Sequence, residues 1–204
     1  MLGPAFQTLY GLLITEKAVN ETMITHLLDS MPIVVANQKR SNNAKSAKEL
    51  CSKGYRASKN MYYYGAKLHS LGQKCYGTLP QMRMVEVTPA SENDLTVAKR
   101  WLSDVKNIDI YADKAYADDL WKEELRLRNV NLFTPVKLEK GQEFLDSADS
   151  LLSSAVSSVR QAIESFFSWI QSKTNIHLAS NVRSTQGLIA FIFARLASLA
   201  FFYC

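Results

Sequence analysis

THLLDSMPIVVANQ, residues 25–38, is the stretch on which the fold turns. Leu27 and Leu28 precede Asp29, and the β-branched run Ile33, Val34, Val35 follows Pro32, so the segment reads as a strand apolar enough to be central in a sheet. Upstream lies an N-terminal lead-in, residues 1–24. Its opening, MLGPAFQTLYGLLITEK, has no basic residue ahead of a short apolar run and no small-residue cleavage pattern, which argues against an export signal. Downstream, residues 39–59 carry Lys39, Arg40, Lys45, Lys48, Lys53, Arg56 and Lys59 against the single acid Glu49, and read as a basic, partly helical insertion.

Farther out, NMYYYGAKLHSLG (60–72) and QMRMVEVTP (81–89) alternate as two antiparallel strands joined through Gly72, Gly77 and Pro80. Ser91 with Asp94 resembles a capping box, and LTVAKRWLSDV (95–105) continues at helical spacing. Ile108 and Ile110 lead into Asp113 as a fourth strand; DDLWKEELRLRN (118–129) is expected to be helical and VNLFTPVK (130–137) a fifth strand. From Leu145 to Lys173, Leu152, Val156, Val159, Ile163, Phe166, Phe167 and Ile170 recur as one face of a long helix. A closing helix spans 185–204, where the central Arg195 argues against a membrane span. The order β-β-β-α-β-α-β followed by two helices predicts one α/β domain over residues 1–204, a mixed five-stranded sheet flanked by helices.

Composition agrees: 204 residues, 47% hydrophobic and 21% charged, suit one globular domain. A net charge of +5 favours an anionic partner. Cys51, Cys75 and Cys204 lie far apart with no C-x-x-C pair, which excludes a readable disulfide framework or thiolate zinc site and makes a reducing cytoplasm the simplest home. No glycine-rich phosphate loop is present, nor do His26, His69 and His177 show zinc-ligand spacing.

Three carboxylates sit at the borders of elements that should converge: Asp29, Asp113 and Glu164. Asp113 follows an apolar strand directly, where a carboxylate must leave the core or bind something. Glu164, flanked by Ile163, Phe166 and Phe167, stands near the border of the buried helix face.

The strings LLDSMPI, YYYGAKLHSLG, VTPASENDL, YADKAYAD and VRQAIESFFSWIQ, in that order, resemble the DDE transposases of bacterial insertion sequences, with likeness to the superfamily whose glutamate lies in an arginine-x-x-x-glutamate helix. The resemblance runs from about Thr25 to Tyr203. It implies a ribonuclease-H-like sheet, with Asp29, Asp113 and Glu164 as catalytic triad and metal ligands. Two magnesium ions about 4 Å apart, or manganese, would stabilise the attacking and leaving oxygens of phosphodiester cleavage and strand transfer. Asp29 is the expected bridging ligand. Arg160, one turn before Glu164, is expected to hold a phosphate oxygen, against the alternative of a simple salt bridge. Ser157 and Gln171 stand where the family often has tyrosine and lysine.

Lys67 and His69 face one side of their strand, opposite Leu68, and resemble positions near the family's site; His69 could equally make a structural hydrogen bond. Lys114 and Tyr116 could touch substrate or pack beneath the loop, while Asp118 and Asp119 read as helix caps. Lys39, Arg40, Lys45 and Lys53 suit phosphate-backbone contacts. The implied partners are double-stranded DNA, as transposon ends and target, and a second copy of the chain, with no membrane, at the bacterial nucleoid. Since 28 residues precede Asp29, room for a separate end-binding domain is short. A truncated, non-catalytic remnant that binds DNA or a partner transposase is therefore the alternative, and a free-standing nuclease the third reading.

Overall fold

A computed structural model of the chain describes residues 3–16, 25–56, 59–138 and 140–202. Strand β1 (Thr25–Asn37) holds the middle of a mixed six-stranded sheet with β2 (Ser52–Arg56), β3 (Met61–Gln73), β4 (Gln81–Pro89), β5 (Ile108–Ala112) and β6 (Val130–Phe133). β1 pairs antiparallel with β3 along its length and parallel with β5 only from Thr25 to Leu28; β5 in turn pairs parallel with β6. Past Leu28 that edge of β1 is taken by the segment following the long helix, since Val34 N donates to His177 O at 2.9 Å and Ala179 N to Val34 O at 2.8 Å. Two residues before Val34, the nitrogen of Pro32 faces this same edge rather than β3, so a proline is tolerated in a central strand without breaking its main ladder.

The other edge of β3 is shared end to end, β2 on Met61–Gly65 and β4 on Ala66–Gln73. The seam is closed by Ala90 N on Gly65 O at 3.2 Å and by Ser52 Oγ on Ser91 Oγ at 2.9 Å. The sheet thus has six strands rather than five, and the sixth, β2, lies inside the basic 39–59 segment. The rest of that segment is a 3-10 turn at Gln38–Arg40 and further turns, not an α-helix; residues 57–58 lie outside the described residues. Lys53 and Tyr55 are exposed while Gly54 is buried, so the alternation exists, and at a sheet edge charged side chains are tolerated and mask it.

Helices cover both faces. α1 (Gly3–Glu16), α4 (Ser147–Thr174) and α5 (Thr185–Phe202) bury Leu27, Met31 and Ile33 of β1, whereas α2 (Asp94–Trp101) and α3 (Asp119–Arg126) bury Leu28, Ile110 and Ala112. The period of two along β1 therefore divides the core into two layers. The cap of α2 is Asn93, accepting from Leu95 N at 2.9 Å, and not Ser91, whose hydroxyl is engaged across the seam. Asp118 caps α3 through Trp121 N at 3.0 Å, as its position suggested. Arg195 is not an anomaly within the apolar α5: its Nε donates to Thr174 O at 2.9 Å, satisfying a carbonyl at the end of α4, and its guanidinium lies 3.5 Å over the Phe191 ring. Among the described residues no helix is long and apolar enough to cross a membrane. This sheet with helices on both faces is compatible with the ribonuclease-H-like arrangement.

Gly65 lies where β3 crosses the bulge in β1, and a Cβ there would stand 2.0 Å from Ile33 O. Because that atom belongs to the backbone of the central strand, Gly65→Ala is expected to lower the unfolding free energy by about 3 kcal/mol, or to prevent folding. Urea denaturation followed by circular dichroism measures it, and an unchanged midpoint would contradict the packing described.

Candidate active site

The alternation that buries Leu27, Met31 and Ile33 puts Asp29 on the same, α4-facing side of β1. Asp113 is the first residue after β5; its Oδ1 accepts from Lys114 N at 2.7 Å and fixes the turn that follows. On α4 the inward stripe runs Val156, Arg160, Ile163, Phe167, Ile170, so an arginine occupies a core position. Its guanidinium lies 3.4 Å from Asp29 Oδ2, 3.7 Å from Asp113 Oδ1 and 3.6 Å from Glu164 Oε1. Three carboxylates from three elements thus meet one buried cation.

The contacts are long for charge-assisted hydrogen bonds, and the buried Arg160 Nε has no hydrogen-bond partner. Burial pushes the Asp29 carboxyl up to about 7; Arg160 and the Ser30 N–H pull it down, and Asp113 and Glu164 push it further up. Asp29 side-chain exposure is 19%, against 43% for Asp113 and 58% for Glu164, so the set grades from a shielded strand residue to a helix residue open to solvent. Among the described residues no three of His, Cys, Asp and Glu stand close enough together to hold one metal ion. The donor set nonetheless suits a hard divalent cation, since three carboxylates converge on one positive charge.

Asp29, Asp113, Glu164 and Arg160 line a cavity of about 540 Å³, together with Lys67, Asp94, Tyr55, Arg56 and Gln171. Lys67 Nζ is held by Glu92 O at 2.8 Å and Asp94 Oδ1 at 3.0 Å. His69 faces the same side, but it is 1% exposed and its Nε2 lies 2.8 Å from Thr88 Oγ1. Burial lowers its pKa to about 4, so the ring is neutral, and it lies beneath the surface rather than on it. Tyr116 is buried beneath the Asp113 loop while Lys114 is exposed beside it.

The remaining cations lie elsewhere. Lys53 bonds Asn42 Oδ1 at 2.8 Å and stands 4.6 Å over the Tyr62 ring, lining a neighbouring cavity of about 530 Å³. Lys39 and Arg40 line another at the end of β1, and Lys45 is exposed on the adjoining turn. Asp94 and Arg56 are cavity residues that the sequence reading passed over. Asp94 resembled only a cap, and Arg56 was one of many cations in a run.

Residues 23–201 of the chain match the family model described as the transposase DDE domain. No curated protein matches the chain.

Because the folded Asp29 pKa is raised above its ordinary 3.8, the native state holds the extra proton between about pH 4 and 7, and this group's contribution to stability falls as pH rises through that window. In metal-free protein, Asp29→Asn is expected to gain on wild type in Tm by roughly 5 °C from pH 5 to pH 8. Added Mg2+ or Mn2+ is expected to stabilise wild type more at pH 8 than at pH 6, and the Asn variant at neither. A thermal-shift series across pH reads both, and a pH-independent difference between the proteins would contradict the assignment.

Proposed function

This chain belongs to the transposase DDE-domain family, and from that premise we propose that it is an insertion-sequence transposase, cleaving phosphodiester bonds at the element's ends and joining them to target DNA. The observation that carries the reading is the meeting of Asp29, Asp113 and Glu164 within 3.4–3.7 Å of a single guanidinium. The family is divalent-metal dependent, and these three carboxylates would hold the ions, which when bound supply charge stabilisation at the attacking and leaving oxygens. Magnesium is the natural choice for hard oxygen donors, and manganese suits the same set.

The chain's own residues do the rest. Asp29 is fixed by its strand and Asp113 by the Lys114 N–H, so both carboxylates are oriented before substrate arrives. Glu164, on the helix and more exposed, can adjust its reach. Arg160, whose guanidinium lines the cavity and makes only long contacts of 3.4–3.7 Å to the carboxylates, is suited to take a phosphate oxygen, and Lys67 adds a second, tethered positive charge. Lys114, Lys39, Arg40, Lys45 and Lys53 would follow the duplex backbone, and two copies of the chain would hold the paired ends. A non-catalytic remnant is the second reading, favoured by the departures at Ser157, which is exposed on α4, and Gln171, which reaches Met31 Sδ at 4.0 Å.

The deciding experiment compares wild type with Asp113→Ala in magnesium-dependent cleavage of donor DNA bearing the element's ends, and in strand transfer to plasmid. Wild type is expected to cleave and join, and the variant to lose at least about 1000-fold in cleavage while keeping its fold and DNA affinity. Cleavage without joining would indicate the nuclease reading, and a folded, DNA-bound wild type that cleaves nothing would establish the remnant.

A further inference from the structure

A second concave surface lies away from the carboxylates. β1 ends at Asn37 in the turns that carry Lys39 and Arg40, and the loop between α4 and α5 brings Arg183 beside them. Together with Asn37, Asn43 and Ser180 they line a cavity of about 630 Å³ in which no acidic residue takes part. Lys39, Arg40 and Arg183 make no ion pair among the described residues, unlike Lys67, Lys99, Arg100, Lys122, Arg126 and Arg160. Arg183 is held by its own loop, Nη1 donating to Ser180 O at 2.8 Å and Val182 O at 3.2 Å. The facing turn is anchored too, by Lys53 on Asn42, by Tyr64 OH on Ser46 O at 3.1 Å, and by burial of Ala47 and Cys51. Three unneutralised cations on pre-set backbone form a site for polyanion oxygens rather than a solvated tail.

The cavity lies farther along β1 than the catalytic one, since Asp29 to Pro32 line the first and Val35 to Asn37 the second. Arg56 lines the catalytic cavity, and Arg56 and Lys59 both act on His177, whose carbonyl is bonded to Val34 on β1. The next residues, Val35, Ala36 and Asn37, form the wall of the second cavity. From Asp29 to Ala36 the strand rises at most roughly 23 Å at about 3.3 Å per residue, the bulge between Val34 and Ala36 shortening it slightly. That equals roughly seven base pairs of duplex at about 3.4 Å each.

We infer that this cavity seats the phosphodiester backbone of duplex DNA about seven base pairs from the bond positioned at Asp29, Asp113 and Glu164, with Arg183 as a contact residue alongside Lys39 and Arg40. The inference rests on the transposase reading and adds to it a second, sequence-independent grip that sets the length of duplex engaged. Two linked contacts also make affinity depend on duplex length, because a duplex too short to span both forfeits one of them.

The test measures binding of labelled generic duplexes of 8, 12, 16 and 20 base pairs by fluorescence anisotropy, from 50 to 200 mM salt. It compares wild type, the triple variant Lys39→Ala/Arg40→Ala/Arg183→Ala, and a control, Lys106→Ala/Lys140→Ala/Lys173→Ala, which removes the same charge at other exposed positions. The triple variant is expected to lose at least about tenfold in affinity for the 20-mer and about 2 to 3 in the slope of log K against log salt. Its affinity should also level off at a shorter duplex, while the control stays within about twofold of wild type. Inorganic phosphate at constant ionic strength should shift wild-type binding by less than about twofold. Full competition by millimolar phosphate would reassign the cavity to a free anion and overturn the inference. So would equal slopes and length profiles for the triple variant and the control, in a protein that binds and cleaves DNA; that result would leave the transposase reading standing. A wild-type chain that binds no duplex at all would sink both.

Discussion

Burial of the Arg160 guanidinium among Asp29, Asp113 and Glu164 is the interaction to which the rest of the structure answers. A charged side chain in the apolar stripe of a helix carries a desolvation cost of several kcal/mol, and one partner at 3.4 Å would not offset it. Three partners can, but only if a central strand, the end of a neighbouring strand and the helix itself all deliver a carboxylate to the same place. The carboxylates need the cation equally, since without it they would repel one another, and even with it Asp29 is pushed up to about 7. The arrangement is held together while staying electrostatically unfinished, and that residual tension is what a divalent ion and a phosphate would relieve.

Topology explains why the meeting point lies where it does. The β1–β5 pairing stops at Leu28 and Ala112, so Asp29 is the first residue of β1 beyond that pairing and Asp113 the first residue after β5. Ligands gather at such carboxyl ends in open α/β sheets because the backbone there parts and leaves a crevice. The segment after α4 takes over the vacated edge of β1 only farther on, at Val34. α4 then crosses above it, capped at one end by Asp146 and held at the other by Arg195, so Arg160 and Glu164 are presented from a helix fixed at both ends.

Much of this could be read in the residues, for identifiable reasons. Asp29, Asp113 and Glu164 stood out because each is a carboxylate next to apolar neighbours, a local pattern that needs no tertiary knowledge. Arg160 was legible as a partner of Glu164 but not as the hub, since its spacing from Glu164 fits an ordinary surface pair and only the stripe through Val156 and Ile163 shows it pointing inward. β2 was hidden because an edge strand bears charge as freely as a loop does. Asn93 displaced Ser91 as the cap of α2 because Ser91 is claimed by Ser52, 39 residues away, a competition no local motif records. α1 escaped notice for a similar reason: its apolar surface has a purpose only within the folded core, where Tyr10 meets Phe193 of α5. Arg183 gave no signal, being one cation in a loop until the fold sets it beside Lys39 and Arg40.

The sequence separation between Asp29 and Arg160, 131 residues, has a bearing on how the molecule comes into being. During synthesis the sheet strands through β6 emerge before the helix that supplies the arginine, and that helix gains its terminal bond only when Arg195, a further 21 residues beyond Thr174, has been made. Until α4 has been made, Asp29 and Asp113 adjoin a crevice with no Arg160 between them, and Glu164 is absent. A nascent chain therefore holds two of the three carboxylates without the geometry that unites them, and the cluster assembles only once α4 has followed the sheet.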